Sequence, residues 1–233
     1  MTGKWVVVAV AALLCASCVV ERPGPLEHDF RTIDRDNAEL VRVDLTMGAG
    51  ILRVDSGTDK LATADFNYNF AEWKPEFRYR SAGGHGTLTI AQPETHTHTL
   101  GGRKNDWDLR LNREVPFEIA AHFGAGEAHM DLGGLTLRDV DIEMGVGELE
   151  LDLRGSPKKS YDVRIQGGVG EATIRLPSNV GIEADARGGI GEIQAPGLRK
   201  DGHRYYNEAL GDSKVAIHLD IEGGVGSIRL LPD

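Results

Sequence analysis

The chain has 233 residues, enough for one large domain or two small ones with a substantial core. Hydrophobic residues make up 40% and charged residues 27%, a balance that excludes a disordered chain and a multi-pass membrane protein. The 26 basic residues against 36 acidic ones give a net charge of −10, which excludes a nucleic-acid partner because phosphate binding needs surplus cations.

Residues 1–17 have the pattern of an export signal. Lys4 precedes an apolar run from Trp5 to Leu14, and small residues follow it. At 1.5 Å per residue this run is too short to cross roughly 30 Å of hydrocarbon, so we expect it to be cleaved rather than retained as a transmembrane helix.

Cys18 follows directly, and the segment resembles a bacterial lipoprotein signal with its lipid-accepting cysteine. One departure is Cys15, at a position where such signals usually carry Leu. The sequence therefore predicts lipidation at Cys18 and attachment to a membrane of the bacterial cell envelope, on the periplasmic side or the cell surface. The alternative is an ordinary secretory signal that leaves a soluble periplasmic or secreted protein.

The two cysteines both lie in this leader, so the folded body has no thiol, disulfide or cysteine metal ligand. Residues 18–37 contain Pro23-Gly24-Pro25 and are predicted to be a lipid-anchored tether. We expect no cofactor.

Residues 38–112 are predicted to form an irregular N-terminal cap of antiparallel strands. Apolar and β-branched residues cluster at 61–70, 77–79 and 87–90, with glycine turns at 81–84 and 101–102. We expect this cap to pack against one end of the rest of the protein and to cover an open sheet edge.

A Gly-x-Gly unit recurs six times, and four consecutive units are 21–23 residues apart. Fixed spacing of this length is typical of solenoids, so residues 113–233 are predicted to form C-terminal β-solenoid repeats. The second glycine of each unit is a predicted structural corner: Gly50, Gly126, Gly147, Gly170, Gly191 and Gly226.

The residues around each unit show how the chain bends there. Apolar residues alternate on one parity before the unit, as in Ile142 and Met144, and on the other parity after it, as in Leu149 and Leu151. Alternation of period two indicates strands, and a parity change indicates a bulge or corner. The sequence thus predicts an all-β, solenoid-like stack of the single-stranded β-helix type, with the middle residue of each unit pointing inward. A dinucleotide loop is disfavoured because a strand rather than a helix follows each unit, and a phosphate loop because Gly-Lys-Ser/Thr is missing. Calcium-binding repeats would need Asp two residues after the second glycine and a different period.

The chain resembles the bacterial toast-rack domain over roughly residues 38–233. The resemblance depends on the Gly-x-Gly-Glu strands, the Gly133-Gly134-Leu135 turn, the strand from Trp107 to Ile119 and the closing segment 223–230. Related domains occur in adhesin-like proteins and in extracytoplasmic parts of envelope-stress regulators that respond to cell-wall-active antibiotics. The resemblance implies a fold and an envelope location, and it supplies no catalytic residues.

Two groups of residues could bind ions. Four glutamates directly follow corner glycines and would align as an outward ladder: Glu127, Glu148, Glu171 and Glu192. A cation, a basic partner or neighbouring basic residues such as Lys158, Lys159, Arg164 and Arg187 could neutralise this ladder. His96 and His98 would face one side of an extended segment, with Glu94 nearby, but three groups fall short of the four ligands of a typical zinc site.

A basic, aromatic stretch is the candidate partner-binding site, because Tyr and Arg often anchor protein interfaces. It lies in the long gap before the last repeat and comprises Arg199, Lys200, Arg204, Tyr205 and Tyr206. The alternative is a hairpin whose tyrosines pack on the last coil.

Catalysis has less support. Glu148, Glu150 and Asp152 could form a carboxylate pair for glycoside hydrolysis, but alternation with leucines explains the same run. We therefore expect a non-enzymatic envelope lipoprotein acting as a binding or scaffold module in adhesion or stress sensing, with an envelope protein or cell-wall glycan as partner. The alternative is a carbohydrate-active β-helix enzyme.

Overall fold

The protein is built almost entirely of β-strands. The structure, a computed structural model, describes residues 23–94 and 102–233. Two short 3-10 helices, Ala71–Trp73 and Glu208–Gly211, interrupt the following strands: β1 Glu27–Ile33, β2 Leu40–Thr58, β3 Ala62–Tyr68, β4 Glu76–Ala82, β5 His85–Ala91, β6 Asn105–Asn112, β7 Pro116–Asp131, β8 Thr136–Asp152, β9 Tyr161–Leu176, β10 Gly181–Gln194, β11 Arg199–Asp201, β12 Arg204–Tyr206 and β13 Ala216–Pro232.

Six long strands each run through one Gly-x-Gly unit, and we call the parts before and after it the first and second arms. These strands are β2, β7, β8, β9, β10 and β13. They pair in parallel with their glycines in register, for example Gly126 with Gly147 and Gly147 with Gly170. The all-β, solenoid-like stack predicted from the sequence is confirmed.

Each bend is made at the second glycine, which has a positive φ in all six strands, from 129° to 149°. The same glycine also lies against the neighbouring strand. A Cβ on Gly147 would be 1.9 Å from the carbonyl oxygen of Gly126. Both the backbone angle and the close approach therefore require glycine here.

The strands do not stack in chain order. The order across the sheet is β2-β7-β8-β9-β13-β10, so the last strand of the chain lies between β9 and β10. The short hairpin β11–β12 occupies the outer edge of β10, where β12 pairs with Glu183–Asp185. The following strand β13 pairs with the other edge of β10 and with β9.

The core lies between the two arms. On the first arm of β2, Val43, Leu45 and Met47 are buried, and on the second arm Leu52 and Val54 are buried. This is the parity change that the sequence shows. Equivalent residues of the other long strands continue the same core along the stack.

The N-terminal strands cover one end of the stack on both arms. The first arm of β2 pairs with β5, which pairs with β4, and the second arm pairs with β6, which leads to β3 and β1. Trp107 of β6 packs edge-on against Phe66 of β3, with ring centroids 5.5 Å apart. Strand β2 lies in the predicted cap but pairs along its length with β7, so the sheet is continuous across the predicted boundary at residue 113. The proposed domain division stays a prediction.

The other end of the stack is partly covered by the β11–β12 hairpin. Its outer strand has only three residues, Arg199–Asp201, all charged and exposed, which discourages edge-to-edge pairing with another chain. Within the described residues, no helix has the length and apolar character needed to span a membrane.

Candidate binding surface at the glycine bend

The middle residues of the Gly-x-Gly units form an exposed apolar line across the stack. Strand pairing places them side by side, about 4.8 Å apart from strand to strand. We call this line the apolar ridge, and its members in spatial order are Ala49, Ala125, Val146, Val169, Val225 and Ile190.

The predicted inward orientation of these residues was wrong. Val146 is 53% exposed, Val169 50%, Val225 46% and Ile190 73%. In β8 the flanking residues occupy the inside of the bend: Met144 before the unit and Leu149 after it are both buried. The side chain of Val146, at the tip of the bend, lies on the outer surface.

The predicted glutamate ladder lies beside the ridge on the second arms, but it is interrupted. Glu127, Glu148 and Glu171 are neighbours, and Ser227 of the inserted strand β13 separates Glu171 from Glu192. The sequence-based order, which placed the four glutamates in an unbroken row, was therefore wrong. Like charges in register repel, and interrupting the row reduces that repulsion.

Arg229 neutralises part of the charge of the ladder, because it lies 3.4 Å from Glu171. The ring of His129 lies 3.4 Å from Glu127 and from Glu150. Glu148 has no ion pair within the described part of the chain. The expected partners Lys158, Lys159, Arg164 and Arg187 are not the ones observed here. No group of three or more potential metal ligands is found among residues 23–94 and 102–233.

A broad cleft lies on the other side of the ridge, along the first arms. It has a volume of about 1050 Å³, and the first glycine of each of five units contributes to its floor. His122 Nδ1 lies 3.0 Å from a Glu143 carboxylate oxygen, and Glu222 pairs with Arg187 of β10 at 3.5 Å. Acidic groups thus border the ridge on both sides.

The predicted partner-binding hairpin is only partly available. Tyr205 is 4% exposed and pairs with Ala184, so its ring belongs to the core, with the Lys200 amine 5.2 Å from the ring centroid. Arg204 pairs with Glu183, and Arg199 lies 3.1 Å from Glu208. Tyr205 fits the alternative, a hairpin whose tyrosines pack on the stack, because it lies against β10. Partner binding by Arg199, Lys200, Arg204 and Tyr206 stays a prediction.

Two of the three candidate catalytic carboxylates, Glu150 and Asp152, have side-chain partners. An Asp152 carboxylate oxygen lies 2.6 Å from the Arg154 guanidinium. Partial burial raises the pKa of Asp152, but hydrogen bonds from Arg154 and the charge of Arg154 outweigh it, so the pKa is lowered. Glu150 faces His129. On the first arms, the pKa of Asp139 is raised by burial and then by Asp141 and Glu118. These perturbations follow from strand register within a charged sheet.

Cys18, His96 and His98 lie outside the described residues, so their predicted roles stay predictions. The sequence analysis missed the exposure of the ridge. The signal was available: in β2, β7 and β8, a large apolar residue precedes the Gly-x-Gly unit at the inward position, and that residue fills the bend.

Two family models match the chain. The N-terminal domain of toast-rack proteins matches residues 22–175, more than half of the chain. The C-terminal region of LiaF, described as a cell wall-active antibiotics response protein, matches residues 124–230. No curated protein matches.

Three solved structures are similar to the chain, and the first of them agrees with these matches. A candidate cell adhesion protein from Clostridium sporogenes is 33% identical, with a TM-score of 0.86, covering 90% of this chain and 100% of its own. A candidate adhesin from Bacteroides fragilis is 9% identical, with a TM-score of 0.31, covering 89% of this chain and 97% of its own. A candidate adhesin from Parabacteroides merdae is 12% identical, with a TM-score of 0.27, covering 88% of this chain and 96% of its own.

Proposed function

The chain belongs to the toast-rack family, and from that premise we propose that it is a non-enzymatic binding or scaffold module of the bacterial cell envelope. The similarity to a LiaF region and to a candidate adhesion protein supports an envelope or surface role. The leader-like residues 1–17 and Cys18 support export and lipid attachment.

The apolar ridge is the observation that carries the proposal. Among the described residues, four of the six large hydrophobic side chains that are exposed lie on it. Isolated exposed hydrophobic residues are normal on a soluble protein, but a contiguous line of them rimmed by charged groups marks an interaction site. The rigid parallel stack holds these side chains in fixed register, so a partner meets a preformed surface.

Adhesion and envelope-stress sensing both fit a module of this kind. In either role the ridge would contact a macromolecule, another envelope protein or cell-wall glycan. The function we favour is protein binding, because an apolar surface suits side chains better than it suits the hydroxyl groups of sugars.

Photo-crosslinking in living cells tests the proposal. A photoreactive amino acid at Val169 should trap a discrete envelope protein, whereas the same group at the exposed Lys159, in the loop between β8 and β9, should trap none. A third probe at Arg204 examines the hairpin separately. Equal products from Val169 and Lys159, or none from Val169, would contradict binding through the ridge.

A further inference from the structure

The inside of the bend changes character along the stack. Strand pairing aligns the inward residue that precedes each Gly-x-Gly unit into one row across the sheet. In spatial order this row reads Met47, Phe123, Met144, Gly167, Gly223 and Gly188. Three large side chains thus fill the bend in β2, β7 and β8, and three glycines leave it unfilled in β9, β13 and β10.

The backbone does not require glycine at these last three positions. None of Gly167, Gly188 and Gly223 has a positive φ, in contrast to the corner glycines. A Cβ on Gly167 would have its nearest neighbour 3.9 Å away, and one on Gly188 would have it 3.8 Å away. Both distances are ordinary van der Waals contacts, so these two sites have room for a side chain, whereas a Cβ on Gly223 would lie 3.1 Å from the Ile228 side chain.

The unfilled part of the bend is an apolar pocket. It has a volume of about 60 Å³, and its lining includes the hydrophobic side chains of Met144, Leu149, Ile165, Ile193, Ile221 and Ile228. That volume corresponds to roughly two water molecules at about 30 Å³ each, which is room for the branched end of a leucine side chain, with the rest of that side chain against the ridge. Val169, Ile190 and Val225 also line it, so the apolar surface continues from the pocket onto the ridge.

Negative charge surrounds this pocket. Glu171, Glu192 and Glu222 contribute to its lining. The nearby cations Arg229 and Arg187 already pair with Glu171 and Glu222. With Glu148 and Glu143 on the adjacent strand β8, the surroundings are net negative. A second copy of this acidic chain, or an anionic lipid headgroup, would be repelled, whereas a basic segment would be attracted.

We propose that the pocket binds one aliphatic side chain, of leucine size, from a cationic segment of a partner protein. The side chain fills the space that the three glycines leave, and lysines or arginines beside it pair with the surrounding glutamates. Central apolar anchors with a charged rim are the usual anatomy of a protein interface. This inference rests on the proposed binding function and names the chemistry of the partner segment.

Methyl NMR with short peptides tests the pocket directly. The probe is Lys-Lys-Gly-Leu-Gly-Lys-Lys, titrated into protein labelled at isoleucine methyl groups. We expect it to shift the methyl signals of Ile193, Ile221 and Ile228 and to bind at least tenfold more tightly than two controls. One control has Glu in place of each Lys, and the other has Ser in place of Leu.

Filling the pocket separates a binding site from a mere packing defect. Gly167→Met copies the aligned Met144, so we expect a melting temperature equal to or above that of the wild type and at least a tenfold loss of affinity for the leucine peptide. Gly211→Ala is the matched control, because a Cβ there has nothing within 4 Å. Unchanged peptide affinity in folded Gly167→Met would overturn the pocket assignment.

A charge variant keeps the proposal falsifiable even when Gly167→Met fails to fold. Glu171→Gln combined with Glu192→Gln should weaken the lysine peptide several-fold and flatten its salt dependence, because both side chains are exposed carboxylates of the rim. Equal binding of the lysine and glutamate peptides would overturn the cationic partner. Cellular crosslinks from Val169 to an acidic or neutral segment would also overturn the cationic partner, but they would leave the proposed binding function intact. Peptide binding in the pocket without any cellular crosslinks would contradict only the proposed function.

Discussion

Gly147 combines two demands that separate experiments can distinguish. Its φ of 143° is unfavourable for any residue with a Cβ, and a Cβ would also collide with the Gly126 carbonyl. Some glycines outside the corners meet neither demand or only the first. Gly83 has a φ of 59° with nothing near its absent Cβ, and Gly211 has ordinary angles and open space.

We predict a graded series from alanine substitution at these three sites. Gly211→Ala should change the free energy of unfolding by less than about 0.5 kcal/mol, Gly83→Ala should cost about 1–2 kcal/mol, and Gly147→Ala should cost more than about 3 kcal/mol. Urea unfolding measures all three. Equal losses for Gly83→Ala and Gly147→Ala would show that backbone angle alone, without the interstrand contact, requires glycine at the bend.

Asp139 and Asp152 should give opposite pH dependences. The pKa of Asp139 is raised by burial and by Asp141 and Glu118, so the folded state holds its proton more tightly than the unfolded chain does. The contribution of Asp139 to the free energy of unfolding therefore falls as pH rises from the pKa of the unfolded chain through the raised pKa of the folded state. The pKa of Asp152 is lowered by Arg154 in spite of partial burial, so its contribution is present at neutral pH and is lost as pH falls.

Asparagine variants of the two residues test these signs. Asp139→Asn should stabilise the protein at pH 7 and Asp152→Asn should destabilise it, each by less than about 1 kcal/mol. The Asp139→Asn difference should vanish near about pH 3, where Asp139 is protonated in both states. The Asp152→Asn difference should shrink as pH falls and vanish only below the lowered pKa of Asp152. Thermal unfolding between these pH values is the measurement, and effects of the same sign would contradict the assignment.

Among the elements, β13 has a position that its place at the end of the chain does not suggest. It pairs with β9 over fifteen positions from Ile217 to Pro232 and with β10 on its other edge. Most of the contact between β10 and the stack therefore passes through β13. A strand that is last in the chain is interior in the sheet.

Truncation after Asp212 should consequently affect more than the end of the chain. We predict that removing β13 abolishes hydrogen-exchange protection in β10 and weakens it in β9. Removing the edge strand β1 should leave both protected. Retained protection of β10 in the truncated protein would mean that β9 and β10 pair directly, as a stack in chain order requires.

For the whole molecule, the proposed attachment to a membrane depends on Cys18, which lies outside the described residues. Cys18→Ser should move the protein from the membrane fraction to the soluble fraction of cells, because a thioether-linked lipid needs the cysteine sulfur. Cys15→Ser is the control and should stay with the membrane. Continued membrane retention of Cys18→Ser would contradict the lipid anchor.

The bent strand is a local property, and the sequence predicts it. Side-chain alternation before and after Gly147 depends only on neighbours along the chain, and the need for glycine depends on one backbone angle. The all-β class, the stack and the six corners follow from such local signals. The same signals identify the toast-rack resemblance.

The candidate site depended on contacts between residues far apart in the chain, which local periodicity does not encode. The insertion of β13 places Ser227 between Glu171 and Glu192 and brings Gly223 between Gly167 and Gly188. Burial of Tyr205 likewise depends on which edge of β10 its hairpin covers. The sequence determined how each strand bends, because angles and alternation are local. The tertiary structure decided which bends are neighbours, and therefore which side chains form the ridge and the pocket behind it. The physical reason is that strand order depends on which segments, far apart in the chain, pair with each strand edge.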